Sequence, residues 1–295
     1  MNKKILTGII IDWFTIIIII LPYFCFPKPS PHKRNFSITD TSISHPYKGE
    51  EQISDGLLTI IAVTVPLVVS FALIIITKGG AYEYNQFLLA MFASIGISLE
   101  LSEFVKALFG RFRPDFLSRC QINTDMVKEI IAGQYIVDGL PVGHDRLFDL
   151  SICTNPNTKI LDEGRRSFPS GHSSTICSTF VLLTFYLAGK LRVFDHRVYI
   201  WRLVISILPI FGAIYIMSTR HQDNLHHWSD LLGGAILGSL VAIIIYHFFY
   251  PPVTSFYSNK PYRYRINQIL SDESHPINDS ESVNPSLDKD IAKLV

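Results

Sequence analysis

Two histidines, one carboxylate and three cations stand where apolar runs of the chain begin or end. Lys106 and Arg113 close one run, Pro169-Ser170-Gly171-His172 opens another, and Arg220, His226 and Asp230 lie between two more. Phosphoryl transfer spreads negative charge over three equatorial oxygens, and preorganised cations lower its barrier electrostatically. Arginine meets phosphate with a planar fork and lysine as a point charge. A histidine adds either a nucleophile that bonds to phosphorus or an acid that protonates the departing oxygen. These residues therefore point to phosphoryl chemistry carried by side chains, with no cofactor and no metal expected.

Spacing assigns trial roles. If a helix starts at Leu225, His226 and Asp230 are i,i+4 on one face, where the carboxylate would hold one imidazole nitrogen and fix the tautomer. His226 is then the candidate nucleophile. His227 points about 100 degrees away, and His227 paired with Asp230 at i+3 is the alternative; a His-Trp-Asp belt at a membrane surface is the structural one. Ser170 and Gly171 before a helix would expose backbone N–H groups as an anion cradle, with His172 facing the leaving group. Alone, that turn also reads as a helix cap. Basic residues at the end of a span are otherwise snorkelling anchors, and Arg111, Arg119, Arg165 and Arg166 are assigned to that role.

The elements that must position these groups are membrane helices. The 295-residue chain is 48% hydrophobic and 17% charged, with a mean hydropathy of +0.29, against roughly 25% charged in soluble domains. Runs near the roughly 18 to 20 residues needed to cross a bilayer fall at Ile5–Phe26, Leu57–Thr77, Phe87–Phe109, Ser173–Leu191, Leu203–Met217 and Leu231–Tyr250. The expectation is an all-α polytopic protein with six transmembrane helices. Its parts are a first anchor and outward loop (1–56), a membrane core (57–250) with an outward cap at about 115–168, and a cytoplasmic, disordered tail (251–295). Ile5–Phe26 reads as a retained anchor, since no small-residue cleavage site follows it.

Lys3, Lys4, Lys78, Lys190, Arg192, Arg197 and Arg202 fall on one side of these spans, which the positive-inside rule makes cytoplasmic. The three chemistry-bearing segments then share the lumenal or extracellular face. In that compartment Cys120 and Cys153 are candidates for a disulfide, and Asn35-Phe36-Ser37 is a glycosylation pattern. Glu100 and Glu103 sit inside the third span, where a carboxylate needs a partner, and Lys106 is i,i+3 from Glu103. No nucleic-acid partner is expected.

Lys106-x6-Arg113-Pro114, Pro169-Ser170-Gly171-His172 and Ser218-Thr219-Arg220-x5-His226-x3-Asp230 together resemble the three-part signature of the lipid phosphate phosphatases, or type 2 phosphatidic acid phosphatases. Gly110-Arg111-Phe112-Arg113-Pro114-Asp115-Phe116-Leu117, Arg119-Cys120-Gln121 and Ile43-Ser44-His45-Pro46-Tyr47 are similar in wording to the fungal diacylglycerol pyrophosphate phosphatases within that family. One departure is Thr219, which stands where the family commonly has Ser directly before the arginine. The resemblance implies a phosphatase/haloperoxidase-like helical core and magnesium-independent hydrolysis of phosphatidate, lysophosphatidate and diacylglycerol pyrophosphate. It implies His226 as nucleophile, Asp230 as its orienter and His172 as acid, with Lys106, Arg113, Ser170, Gly171 and Arg220 binding phosphate. It tilts the compartment to the vacuole, with Golgi or endoplasmic reticulum as alternatives. Isoprenoid or sphingoid phosphates are rival substrates, and lipid or anion transport is the rival outside enzymes.

Overall fold

The computed structural model describes residues 3–132, 136–137, 140–141 and 147–262. Asp12–Pro261 form one compact unit; in the other, Lys3–Ile11 are helical. The long helices begin with α1 (Lys3–Cys25), α2 (Asp55–Ile76) and α3 (Ala81–Phe109). Three short ones follow in the cap between α3 and α7: α4 (Phe116–Cys120), α5 (Thr124–Ile131) and α6 (Thr158–Glu163). The chain then runs through α7 (Gly171–Lys190), α8 (Ile200–Gln222) and α9 (Trp228–Phe249). A hairpin of two-residue strands, Ile136–Val137 with Leu140–Pro141, is the small exception to a helical fold among the described residues.

Five of the long helices are long and apolar enough to cross a membrane, and the chain is an integral membrane protein. The sixth expected span, Ser173–Leu191, is α7, which falls short of that apolarity for a physical reason. It packs against α2, α3, α8 and α9, so it is sheathed by protein and has little need of lipid-soluble side chains. Ser173, Ser174, Ser178 and Thr179 are buried along it. Helices approach closely in membranes through small residues. On α9, a Cβ at Gly234 or Gly238 would strike the backbone of Ser170 or Ser174. The hydroxyls of Ser102 and Ser174 meet at 2.6 Å between α3 and α7.

Two helices outrun their sequence expectations because polar residues at their ends are buried. α3 begins at Ala81, before Phe87, with Glu83 buried and ion-paired to Lys190. α8 runs from Ile200 to Gln222, beyond Leu203–Met217, and carries Arg220 in its last turn. Glu100 lies on α3 and Glu103 pairs with Lys106 at 2.8 Å.

The cap has internal order. Phe36, Ile43, Phe112, Phe116, Cys120, Ile130 and Phe148 form its own buried cluster, and Cys120 is bonded to Cys153 with 4.6 Å between their Cα atoms. Arg119, assigned above to the membrane surface, is instead buried in a two-pronged pair with Asp115 at 2.9 and 2.8 Å and lies 4.4 Å from the centre of the Tyr47 ring. Asn35 is exposed in the loop between α1 and α2, next to the Phe36–Phe148 bridge. The order also continues past residue 251, where the tail was expected: Ser258 is buried and its hydroxyl donates to the Gly189 carbonyl at 3.2 Å. The tail beyond Tyr262 lies outside the described residues.

Candidate active site

Gly110 ends α3 in the left-handed region, at φ 53°, where a side chain would strike the His32 backbone. The chain thereby turns at once into Arg111-Phe112-Arg113. Ser170 caps α7, its side chain accepting from the Ser173 amide at 3.4 Å, and its own amide donates to the Asp230 carbonyl at 3.0 Å. That bond ties the start of α7 to the first turn of α9. With Arg220 in the last turn of α8, the ends of four helices meet around one cavity of about 430 Å³.

Lys106, Arg113, Gly171, His172, Arg220 and His226 all line this cavity. Ser170 and Asp230 do not: both are fully buried behind it, so Ser170 shapes the cradle as a cap and does not front it. Gly171 matters for closeness, since a Cβ there would lie 2.9 Å from the Lys106 ammonium. The opposite wall is apolar, with Ile20, Tyr23 and Phe24 from α1, Leu58, Ala62 and Val63 from α2, and Phe92, Ile95 and Leu99 from α3.

The expected contact between His226 and Asp230 is not made as a hydrogen bond, for His226 Nδ1 stands 4.0 Å from Asp230 Oδ2, beyond bonding range. The reason is where α9 starts. Its cap is His227 and its first residue Trp228, so His226 precedes the helix and the i,i+4 rule does not reach it. Asp230 is the third residue of that helix and closes a capping box with His227, accepting from its amide at 2.9 Å and lying 3.1 Å from its Nδ1. Arg111 Nη1 donates to the other oxygen of Asp230 at 2.7 Å, which moves Arg111 from the membrane surface into the site's support.

Ser167, which sequence reasoning missed, holds His226. Its carbonyl lies 2.8 Å from His226 Nδ1 and its hydroxyl donates to Asp230 Oδ2 at 2.6 Å. A carbonyl only accepts, so Nδ1 carries the proton and Nε2 keeps its lone pair. Asp230 thus acts on His226 through Ser167. Burial, then the Arg113 and Lys106 charges, holds the His226 imidazole well below its usual range, which leaves it neutral and nucleophilic. His172 is fixed by the same logic, its Nε2 donating to the Ile53 carbonyl at 3.1 Å, with Nδ1 3.6 Å from Asp55 Oδ1.

Each of the three cations expected to bind phosphate faces a carboxylate. Lys106 pairs with Glu103 at 2.8 Å, Arg113 with Glu163, and Arg220 with Glu51 at 2.9 Å and Asp223 at 3.4 Å. Burial opposes the charge of Glu163, but Arg113 and Lys106 override it and lower its carboxyl below the usual range. Arg113 Nε is buried without a hydrogen-bond partner among the described residues, a donor still available to an anion. Arg166, also assigned above to the surface, is buried against Glu103 and the Pro29 carbonyl, and Arg165 against Asp162 and the Pro31 carbonyl. No cluster of three or more metal-ligating His, Cys, Asp or Glu occurs among the described residues.

Such a cavity accommodates an anionic headgroup whose apolar remainder stays among the helices, and the fold that offers it is that of a helical membrane phosphatase. The chain belongs to the PAP2 superfamily, whose sequence profile matches residues 86–253. It is 32% identical over 285 residues to diacylglycerol pyrophosphate phosphatase 1 of Saccharomyces cerevisiae, covering 91% of this chain and 92% of that one. A probable diacylglycerol pyrophosphate phosphatase 1 of Schizosaccharomyces pombe is 31% identical, covering 85% of each chain. Lipid phosphate phosphatase 2 of Arabidopsis thaliana is 31% identical, covering 81% of this chain and 80% of that one. No solved structure matches the chain.

Proposed function

We propose that the protein is a metal-independent lipid phosphate phosphatase that hydrolyses diacylglycerol pyrophosphate, phosphatidate and lysophosphatidate through a phosphohistidine intermediate. The observation that carries this reading is one cavity with two unlike walls, the two histidines and three cations on one side and the apolar residues of α1, α2 and α3 on the other. A lipid phosphate is the substrate class with both halves. The names of the relatives from the two yeasts and Arabidopsis agree with it.

The substrate phosphate takes the places of Glu51 and Glu163 on Arg220 and Arg113. These two carboxylates are the displaceable ones, with side chains 36% and 44% exposed against 3% for Asp223 and 10% for Glu103. His226 Nε2 attacks phosphorus, forming an N–P bond as the bond to the leaving oxygen breaks. His172, entering the step as the imidazolium, delivers its second ring proton to that oxygen. Water then attacks the phosphohistidine, His172 takes the water's proton, and inorganic phosphate leaves. Lys106, Arg113 and Arg220 supply the fixed positive charge that stabilises both transition states. With diacylglycerol pyrophosphate the leaving group is itself a phosphate, a better leaving group than an alkoxide, so the demand on His172 is smaller.

The basic residues at the opposite helix ends support a site on the lumenal or extracellular face, and the fungal resemblance of the sequence tilts the compartment to the vacuole, with Golgi or endoplasmic reticulum as the other candidates. Phosphate release in detergent micelles containing excess EDTA tests the activity. Release from diacylglycerol pyrophosphate and phosphatidate at rates unaffected by EDTA is expected. Release from neither lipid by folded protein would overturn the reading.

A further inference from the structure

One cation lining the cavity is used by neither the three motifs nor the two-step chemistry. Lys28 follows α1 by a short turn; its Nζ lies 3.8 Å from Glu103 Oε2 and 5.1 Å from the centre of the Tyr23 ring. Glu103 holds Lys106 on its other oxygen at 2.8 Å. The two lysines thus flank one carboxylate. Lys106 stands on the side of Gly171 and the phosphate cradle, Lys28 on the side of Tyr23, where the apolar wall of α1 begins. Their freedom differs: the Lys106 side chain is 11% exposed, that of Lys28 46%.

Glu103 is shared by three cations, Lys28, Lys106 and Arg166. A terminal phosphate monoester on the cradle engages the cations around His226. A lipid diphosphate brings one more charged phosphate, between the terminal phosphate and the glycerol. With the terminal phosphorus at His226 and the acyl chains along α1 to α3, that inner phosphate must cross the junction of the polar and apolar walls, which is where Lys28 stands.

We propose that Lys28 binds the inner phosphate of a lipid diphosphate and sets the preference for diphosphate over monophosphate headgroups. The assignment rests on the lipid phosphatase reading above. A cation placed for a group that only one substrate carries discriminates by what the other substrate leaves unpaired. Lys28 is therefore a specificity residue, and its effect is read as a ratio.

The test uses the full-length protein in mixed micelles with diacylglycerol pyrophosphate and phosphatidate of identical acyl chains. In Lys28→Gln, the ratio of kcat/KM for the diphosphate to that for the monophosphate is expected to fall roughly tenfold, the size of one charge-assisted contact. Lys28→Arg is expected to recover most of it. A wild-type ratio in Lys28→Gln, whether both rates hold or both fall, overturns the proposal while leaving the phosphatase reading intact. Release from neither lipid by the wild type would instead overturn the phosphatase reading and this proposal with it.

Discussion

α3 carries a buried ion pair at each end, and the two ends have different fates. At the C-terminal end Glu103 meets Lys106; at the N-terminal end Glu83 meets Lys190. All four residues are less than one-tenth exposed. The Glu83–Lys190 end is balanced one to one, and the rings of Tyr186, Tyr246 and Tyr250 pack beside it, the last two stacked at 5.3 Å. The Glu103–Lys106 end opens into a cavity, and there one carboxylate, Glu103, is shared by Lys28, Lys106 and Arg166. A buried ion pair is in itself weak evidence of anything beyond its own satisfaction. Several cations sharing one carboxylate, beside room for an anion, is what separates a binding site from a structural pair.

Substitution at each end sharpens the contrast. Arg220→Ala removes a fully buried guanidinium from the cavity end, and kcat/KM for phosphatidate is expected to fall on the order of 10²- to 10³-fold in protein with unchanged size-exclusion behaviour. A fall under threefold would remove Arg220 from the phosphate site. Lys190→Met at the other end leaves Glu83 buried without its partner, with an expected loss of about 3–5 kcal/mol of stability, read as a lower Tm in detergent. Its activity per folded molecule is expected to match the wild type's. If Lys190→Met instead lowers kcat/KM of the folded fraction as Arg220→Ala does, the two ends are not functionally distinct.

The helices were legible because a bilayer demands long apolar runs. α7 was placed correctly by its run, yet its Ser and Thr content makes sense only once its neighbours are seen to shield it. The limits of α3 and α8 were blurred because Glu83 and Arg220 look like surface residues until their partners across the bundle are known. Lys106, Arg113, His172, Arg220 and His226 were legible as types at spacings and do line one cavity. The support beneath them was not. Ser167 holds His226 through its backbone carbonyl, a contact that any residue could make and no side-chain pattern announces. The direct Asp230 hydrogen bond expected from spacing is not made because His226 lies two residues before α9 begins, outside the reach of helical spacing. Glu51 and Glu163 come from loop and cap, where apolar periodicity gives no guide to what faces a cation.

The central claim is that His226, presented by the Ser167 carbonyl with Nε2 free, forms the bond to phosphorus. Rapid acid-free quenching of turnover on ³²P-labelled diacylglycerol pyrophosphate, followed by peptide mapping under basic conditions, tests it directly. The account predicts a base-stable, acid-labile phosphate on His226 of the wild type and none in His226→Ala. Label on His227, the residue that pairs with Asp230, or undiminished turnover in His226→Ala, would contradict it.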